Sequence, residues 1–321
     1  MKTAPRLIPS LVPLALLLAC GTESPELAFE LQANRFASSE WSDPVNLGPV
    51  VNSSANDANA ALSPDEHTMY FVSNRPGSLG ETDIWASHRQ CLGCPWATPQ
   101  NLGTPINSTA ADASPTLSAD GRLLFFFSGR PGGGGLDIYV SHRSGTSAAG
   151  DVWGPPINLG PHVNTAGAEQ GVHYSREGGT PTAGLYFNRI GPSGTGDIFH
   201  VFIDNDGVPL GPTVLLPELS DPLTADQKVT VRNDGLELLL SSLRAGTFGN
   251  FDIWSFTRQT PRDPWSGPSH FDAPLNTGDI DSQPNLSRDG RTLIFTSNRF
   301  GGSGGNDLWM STRRPTALEV P

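Results

Sequence analysis

Residues Asp281 to Arg313 read DSQPNLSRDGRTLIFTSNRFGGSGGNDLWMSTR, and the chain carries five variants of this stretch. The other four open at Asp57, Asp112, Glu169 and Asp226, so successive openings are 55, 57, 57 and 55 residues apart. Self-similarity at a fixed period is the sequence signature of a repeat architecture, in which each repeat is one small structural unit. The sequence therefore predicts five equivalent units.

One copy is enough to predict the structure of a unit. In the second copy, residues 113–118 form a short strand of apolar and small residues, and the Ser-Ala-Asp-Gly sequence that follows is typical of a turn. Residues 123–127 form a continuous apolar run of strand length, which predicts burial on both faces. The glycine-rich segment 129–135 predicts a loop, and residues 137–141 and 153–160 predict a third strand and an edge strand. Four antiparallel strands in each repeat indicate a β-propeller blade.

The two ends of the repeat array are complementary. The first predicted element is an edge strand, at Trp41 to Gly48, whereas the last copy ends after its third strand, at Asp307 to Ser311. Pairing these two segments completes the last blade and removes two exposed sheet edges. We therefore predict an all-β fold over residues 41–321: a five-bladed β-propeller with four-stranded antiparallel blades, closed by its N-terminal edge strand.

Short motifs within the repeats carry a family resemblance. Ser63-Pro64-Asp65, then Ser73-Asn74-Arg75, then a glycine-rich loop and Asp83-Ile84-Trp85, resemble the TolB-type β-propeller repeat, a relative of the WD40-like repeat. The resemblance covers roughly residues 41–313. It implies the propeller fold and does not specify an activity, because the family is defined by its blade.

Residues 1–20 have the features of a bacterial lipoprotein signal peptide. Lys2 and Arg6 precede an apolar stretch that ends in Leu-Leu-Ala-Cys-Gly, which resembles a lipobox with Cys20 as the lipidated residue. An ordinary secretory signal with an incidental cysteine is the alternative. The lipoprotein interpretation predicts attachment to the cell envelope through the lipid alone, with the outer membrane favoured because glycine follows Cys20. Residues 21–40 are expected to form a flexible tether.

Composition excludes some partners. The formal net charge is -12, and lysine occurs only at Lys2 and Lys228, so the chain lacks the clustered basic residues that nucleic-acid binding requires. No motif indicates a cofactor, and no cysteine and histidine spacing indicates a metal site. We therefore expect a monomer that binds no nucleic acid, no cofactor and no metal ion.

Charged residues recur at three positions of the blade. Antiparallel strand order places all three at the same end of the blade, where an arginine and the third-strand Asp that follows it could clamp the intervening loop as an ion pair. A recurring trio predicts a structural role. Alternatively, the opening acids, together with the unusual His173, line the channel mouth and bind a cation or a basic peptide. The opening acids are Asp57, Asp112, Glu169, Asp226 and Asp281; the predicted pairs are Arg75 with Asp83, Arg130 with Asp137, Arg189 with Asp197, Arg244 with Asp252, and Arg299 with Asp307.

Two cysteines interrupt the linker after the first copy. Cys91 and Cys94 are separated by two residues, and in an exported protein this spacing predicts a local disulfide.

Two functions are compatible with these features. The regular blades show no unique catalytic set, which favours a non-enzymatic, lipid-anchored scaffold that binds an envelope protein, peptide or glycan. The alternative is a carbohydrate-active, glycosidase-like propeller enzyme. Acids locked to arginine would favour a structural role, whereas unpaired acids about 5–10 Å apart across a pocket would favour hydrolysis.

Overall fold

The computed structural model describes residues 41–147, 150–176, 182–191 and 194–314. The predicted lipidation site Cys20, the signal peptide and the tether lie outside these residues. The described residues form five antiparallel sheets and no helix, so none of their elements could cross a membrane as a helix. The innermost strands of neighbouring sheets contact each other around a common axis. The predicted five-bladed propeller is confirmed.

Each blade runs from an inner strand at the axis to an edge strand at the rim. Blade 1 contains β2 (Asp57–Leu62), β3 (Thr68–Ser73), β4 (Asp83–His88) and β5 (Gln100–Asn101). Blade 2 contains β6 (Asp112–Leu117), β7 (Leu123–Ser128), β8 (Asp137–Ser147) and β10 (Ile157–Asn158), with β9 (Gly150–Trp153) as an extra partner of β8. Blade 3 contains β11 (Ala168–Ser175), β12 (Ala183–Ile190), β13 (Gly196–Ile203) and β14 (Val214–Leu215).

The remaining two blades follow the same order. Blade 4 contains β15 (Asp226–Val231), β16 (Glu237–Ser242), β17 (Asp252–Thr257) and β18 (Ser266–His270). Blade 5 contains β19 (Asp281–Leu286), β20 (Thr292–Ser297) and β21 (Asp307–Thr312), and its fourth strand is β1 (Val45–Asn46) from the start of the propeller.

Local sequence explains these elements. The second strands are continuous apolar runs because both of their faces pack against neighbouring blades; Phe125 and Phe295, for example, are fully buried. The turn before β7 is fixed by the hydroxyl of Ser118, which donates to Asp120 at 2.6 Å, and by Gly121, whose φ of +68° suits a residue without a Cβ. These turns set the register of each inner strand against its neighbour.

The ring is closed as the sequence predicts. Val45 pairs with Met310 and Asn46 pairs with Trp309 in an antiparallel register, and Trp41 forms an isolated bridge with Arg313. Asn52 reinforces the seam, since its side chain accepts the N–H of Leu308 and donates to the Leu308 carbonyl. The last blade therefore has no unpaired third strand.

The recurrent tryptophans precede the edge strands and stack on arginines. The Arg313 guanidinium lies 4.4 Å from the ring centroid of Trp41, and its Nε donates to the carbonyl of Gly290 at 2.8 Å. The same stacking joins Arg89 to Trp96, Arg143 to Trp153 and Arg258 to Trp265. Blade 3 lacks both residues, because Ile203 replaces the arginine and no tryptophan precedes β14. Trp41 thus uses at the seam a contact that recurs within the ring.

Cys91 and Cys94 form a disulfide across a four-residue turn in the linker between β4 and β5. The carbonyl of Cys91 also accepts the N–H of Cys94 at 2.9 Å. The bond therefore stabilises a local turn and does not join separate blades.

Replacing Trp41 tests the seam. Trp41→Ala is expected to lower the free energy of unfolding by about 3–5 kcal/mol, because it removes a large buried ring and its contact with Arg313. Urea denaturation measures this change. The control Leu223→Ala, at a side chain 85% exposed, should change stability by no more than about 0.5 kcal/mol. Equal effects of the two variants would show that Trp41 does not hold the ring closed.

Candidate functional site

The five opening acids are buried and paired with arginine. Each acid lies at the start of an inner strand, as its first residue or, for Glu169, its second, and the arginine that follows the second strand of the same blade folds back onto it. Four of the acids are aspartates with 0% exposure, and Glu169 takes the same place in blade 3. The pairs are Arg75 with Asp57 at 2.5 Å, Arg130 with Asp112 at 2.8 Å, Arg189 with Glu169 at 2.7 Å, Arg244 with Asp226 at 2.6 Å, and Arg299 with Asp281.

This arrangement corrects the predicted pairing. The arginines pair with the opening acids and not with the third-strand aspartates. Asp83 instead accepts the backbone N–H of Leu79 at 2.6 Å and a hydrogen bond from Asn101 at 2.6 Å, so it clamps its loop without an arginine. Asp137 and Asp307 accept from asparagines in the same way, and Asp252 accepts from His270 at 2.7 Å. Asp197 is half-buried at the corresponding position of blade 3.

The opening acids are poorly suited to bind a cation or to catalyse a reaction. Besides its arginine, Asp57 accepts the backbone N–H and the hydroxyl of Ser53. Burial raises the pKa of the Asp226 carboxyl, whereas Ser242, the N–H of Asp221 and Arg244 act to lower it. No group of three potential metal ligands occurs in the described parts of the chain.

His173 lies in a ring of hydrogen bonds around the axis. It occupies the fifth position counted from the opening acid, where four blades carry a hydrogen-bonding side chain that accepts a backbone N–H of the next blade. This explains its burial without a catalytic role. The contacts are Thr116 to Tyr174 at 3.1 Å, His173 to Val231 at 3.0 Å, Thr230 to Leu286 at 3.2 Å, and Asn285 to Leu62 at 3.2 Å.

Lys228 is a buried cationic group that the motif analysis did not identify. It occupies the third position of its inner strand, where the other blades carry Asn59, Ser114, Gly171 and Gln283. It is 1% exposed, and its Nζ donates to the carbonyl of Val172 at 3.0 Å. Burial lowers the pKa of Lys228 to about 7. Burial, and then the charge of Lys228, lower the pKa of His173 to about 3, so His173 is neutral at pH 7.

A groove between blades 3 and 4 combines aromatic rings with carboxylates from both blades. This blade 3–4 groove has a volume of about 680 Å³, within the range of small-ligand sites. Blade 3 contributes Tyr186, His200, Phe202 and Glu218, and blade 4 contributes Asp263, Trp265 and Arg258. Tyr186, His200 and Val214 are cross-strand neighbours, so they share the face of blade 3 that lines the groove.

The groove presents aromatic surface and two acids. The His200 ring lies 4.7 Å from the rings of both Tyr186 and Phe202, and Phe202 is 56% exposed. Burial, and then Arg258, lower the pKa of His200 to about 4, so this ring is neutral at pH 7. Asp263 accepts the N–H of Thr260 at 2.8 Å. Among the ion pairs of the described ranges, none includes Glu218 or Asp263; Arg258 reaches only the main-chain carbonyl of Asp263, at 3.4 Å.

The corresponding groove between blades 1 and 2 is smaller and its acid is engaged. There Tyr70 donates to Asp151 at 2.6 Å, and Arg143 forms an ion pair with the same carboxylate at 2.6 Å. Its volume is about 250 Å³. Asp151 and Asp263 occupy equivalent positions two residues before Trp153 and Trp265, and the blade 3–4 groove differs in that no arginine of the described ranges forms an ion pair with the carboxylate of Asp263.

A larger hollow of about 920 Å³ lies at the end of the propeller opposite the blade 3–4 groove, above blades 1 to 3. Its described lining is mainly alanine and glycine, with Glu81 as the one acid. The guanidinium of Arg189, which also lines it, is already bonded to Glu169 and the carbonyl of Val163. Among its described residues, this hollow lacks the second carboxylate that glycoside hydrolysis requires.

The fold of this chain is similar to that of several solved glycoside hydrolase structures. An α-L-arabinofuranosidase from Lactobacillus brevis superposes with a TM-score of 0.57 at 14% identity, covering 83% of this chain and 92% of that one. A thermostable family-43 glycoside hydrolase gives 0.58 at 14% identity, covering 84% and 92%. An arabinanase from Bacillus subtilis gives 0.56 at 11% identity, covering 83% and 96%. No family model and no curated protein matches the sequence. At these identities the similarity establishes the fold.

These neighbours correct the functional expectation. The chain superposes on arabinofuranosidase and arabinanase propellers, so the TolB-type and WD40-like resemblance is wrong. The non-enzymatic lipoprotein scaffold that we favoured from the sequence is wrong with it. Lipidation of Cys20 remains a prediction on its own residues.

The buried amine predicts a pH dependence of stability. The pKa of Lys228 is lowered from 10.5 to about 7 in the folded state, so between these values the unfolded chain binds more protons. The free energy of unfolding should therefore rise with pH from 7 to 9.5, by up to about 1.4 kcal/mol per pH unit. Lys228→Met should abolish this rise, as measured by urea denaturation at pH 7, 8 and 9.5. The same rise in Lys228→Met as in the unmodified protein would contradict the assignment.

Proposed function

We propose that this protein is a carbohydrate-active enzyme that hydrolyses a glycoside in the blade 3–4 groove. The observation that carries the proposal is that Glu218 and Asp263, from different blades, line one aromatic groove, and that neither carboxylate forms an ion pair with an arginine of the described ranges. The glycoside hydrolase neighbours support the same class of substrate, since they share the five-bladed fold. The five opening acids at the axis are less suitable, because each of them forms an ion pair with an arginine.

The groove has the chemistry that a sugar needs. Aromatic side chains offer large apolar faces, against which the C–H face of a pyranose or furanose ring packs, and Phe202, which is 56% exposed, supplies such a ring on the blade 3 side. The sugar hydroxyls require hydrogen-bond partners at the rim of the groove, and carboxylates accept strongly from hydroxyl groups. Arg262, which is exposed, provides a donor on the blade 4 side.

Two carboxyl groups suffice for the reaction. One, as the acid, transfers its proton to the glycosidic oxygen while the bond from that oxygen to the anomeric carbon breaks. The other, as a carboxylate, either takes a proton from the water that attacks the anomeric carbon or attacks that carbon itself, and water then releases the sugar. Water supplies the new hydroxyl group in both cases, so the two side chains end in their starting protonation states after proton exchange with solvent.

The distance between the two carboxyl groups in a sugar complex separates these routes. A separation of about 5–5.5 Å predicts retention of anomeric configuration, and about 6.5–9.5 Å predicts inversion. The outer-membrane location that follows from Cys20 would place the groove among envelope or environmental glycans, and this location is part of the proposal.

Substitution of the two acids tests the proposal. The purified protein should release nitrophenol from at least one member of a nitrophenyl glycoside panel that begins with α-L-arabinofuranosides. Glu218→Gln and Asp263→Asn should each lower kcat/KM at least about 100-fold, because each removes one of the two required carboxyl groups. Glu81→Gln, at an exposed acid on the opposite end of the propeller, is the control and should retain activity.

Two results would contradict the proposal. One is the absence of turnover across the panel and on arabinan and xylan. The other is turnover that survives both Glu218→Gln and Asp263→Asn, which would place the chemistry elsewhere in the chain.

A further inference from the structure

A second cavity lies on the propeller axis, at the end opposite the five acid–arginine pairs. Residues from all five blades line it, and its volume is about 120 Å³. We call it the axial mouth cavity and define it by Glu66, Thr116, His173, Arg176, Asn285 and Arg288. The volume equals about four water molecules at their share of liquid volume, or one group of four or five heavy atoms.

The hydrogen bonds of His173 fix its tautomer. Its Nε2 accepts the backbone N–H of Val231 at 3.0 Å, so in the neutral ring Nε2 carries no hydrogen. The hydrogen therefore lies on Nδ1, which makes Nδ1 a donor. This atom is buried and has no acceptor among the residues the structure describes. A buried donor without an acceptor is costly, and an acceptor in the adjacent cavity would relieve that cost.

A second buried donor lines the same cavity. The Nε of Arg176 is buried and also lacks an acceptor in the described part of the chain, while its Nη2 donates to Asn205 at 3.1 Å. Arg288 adds another guanidinium to the lining. Lys228, one blade along from His173, lies close enough to influence its charge.

Glu66 is the one carboxylate among the described residues of the lining, and it is engaged. Glu66 accepts the backbone N–H of Arg288 at 2.9 Å through Oε1, and its Oε2 lies 3.8 Å from Nη2 of Arg89. The unsatisfied buried groups that we identify in this cavity are therefore donors. A metal cation needs oxygen or nitrogen lone pairs, and a protonated Nδ1 and guanidinium groups offer none.

We propose that the axial mouth cavity binds a small oxyanion, a carboxylate or phosphate group, through His173 Nδ1, Arg176 Nε and the Arg288 guanidinium. Anionic oxygens accept from charged donors more strongly than neutral oxygens do. The site is defined by its own residues and does not depend on hydrolysis in the blade 3–4 groove.

Anion titration tests the site. Sodium acetate, sodium phosphate and sodium sulfate are each titrated into the full chain by calorimetry, at an ionic strength held constant with sodium chloride. We expect saturable binding of acetate or of the tetrahedral anions, and the preferred series identifies the source as a carboxylate or a phosphate group. Binding of none of the three would overturn the proposal.

A matched substitution isolates the donor. His173→Thr keeps an acceptor for the N–H of Val231, as Thr116 and Thr230 do for their neighbours, and removes the Nδ1 donor. Affinity should fall at least tenfold in His173→Thr and in Arg288→Gln. Arg291→Gln removes an exposed guanidinium from the same turn, outside the cavity, and should bind as the unmodified protein does.

Nitrogen-15 NMR of labelled histidine provides an independent measurement. The hydrogen of His173 should be found on Nδ1, and its chemical shift should move on addition of the bound anion. A hydrogen on Nε2, or unchanged affinity in His173→Thr, would overturn the proposal.

Discussion

The buried ion pair between each opening acid and the arginine of the same blade is the constraint on which the rest of the propeller depends. The arginine bonds two partners at once: Arg75 reaches Asp57 and the carbonyl of Val51, and Arg244 reaches Asp226 and the carbonyl of Leu219. Each pair therefore ties the start of an inner strand to the linker that enters the blade. Because one partner alone would leave an uncompensated buried charge, acid and arginine must be kept together in all five blades.

Because of this pairing, the five opening acids at the axis are not our candidates for catalytic residues. Carboxylates that neutralise arginine cannot also serve a substrate, so the groups left for function are those where the repeat departs from its pattern. Blade 3 has lost the stacked arginine and tryptophan, and beside it the groove toward blade 4 is wider than its counterpart between blades 1 and 2. The function that we propose therefore lies in the irregular part of a regular scaffold, as expected where fold and activity are separable.

The repeat made the fold and its closure predictable, because period and phase are properties of the sequence alone. Spacing could not select the partner of each arginine, since antiparallel order brings the opening acid and the third-strand Asp to the same end. The register alone does not decide, because Asp57 and Asp83 both lie opposite Ser73; Asp83 already accepts from the N–H of Leu79 and from Asn101, and Arg75 pairs with Asp57. The blade 3–4 groove was not predictable, as it joins Glu218 to Asp263 across two blades. Lys228 could have been found by aligning the five inner strands.

A double-mutant cycle on Arg244 and Asp226 tests the central claim most directly, since both side chains are almost fully buried. Arg244→Met and Asp226→Asn should each lower the free energy of unfolding by about 3–5 kcal/mol, because each leaves a buried partner unpaired. Combined, they should cost at least about 2 kcal/mol less than the sum of the two single changes. Strict additivity would contradict the account, because it would mean that the acid and the arginine do not stabilise each other.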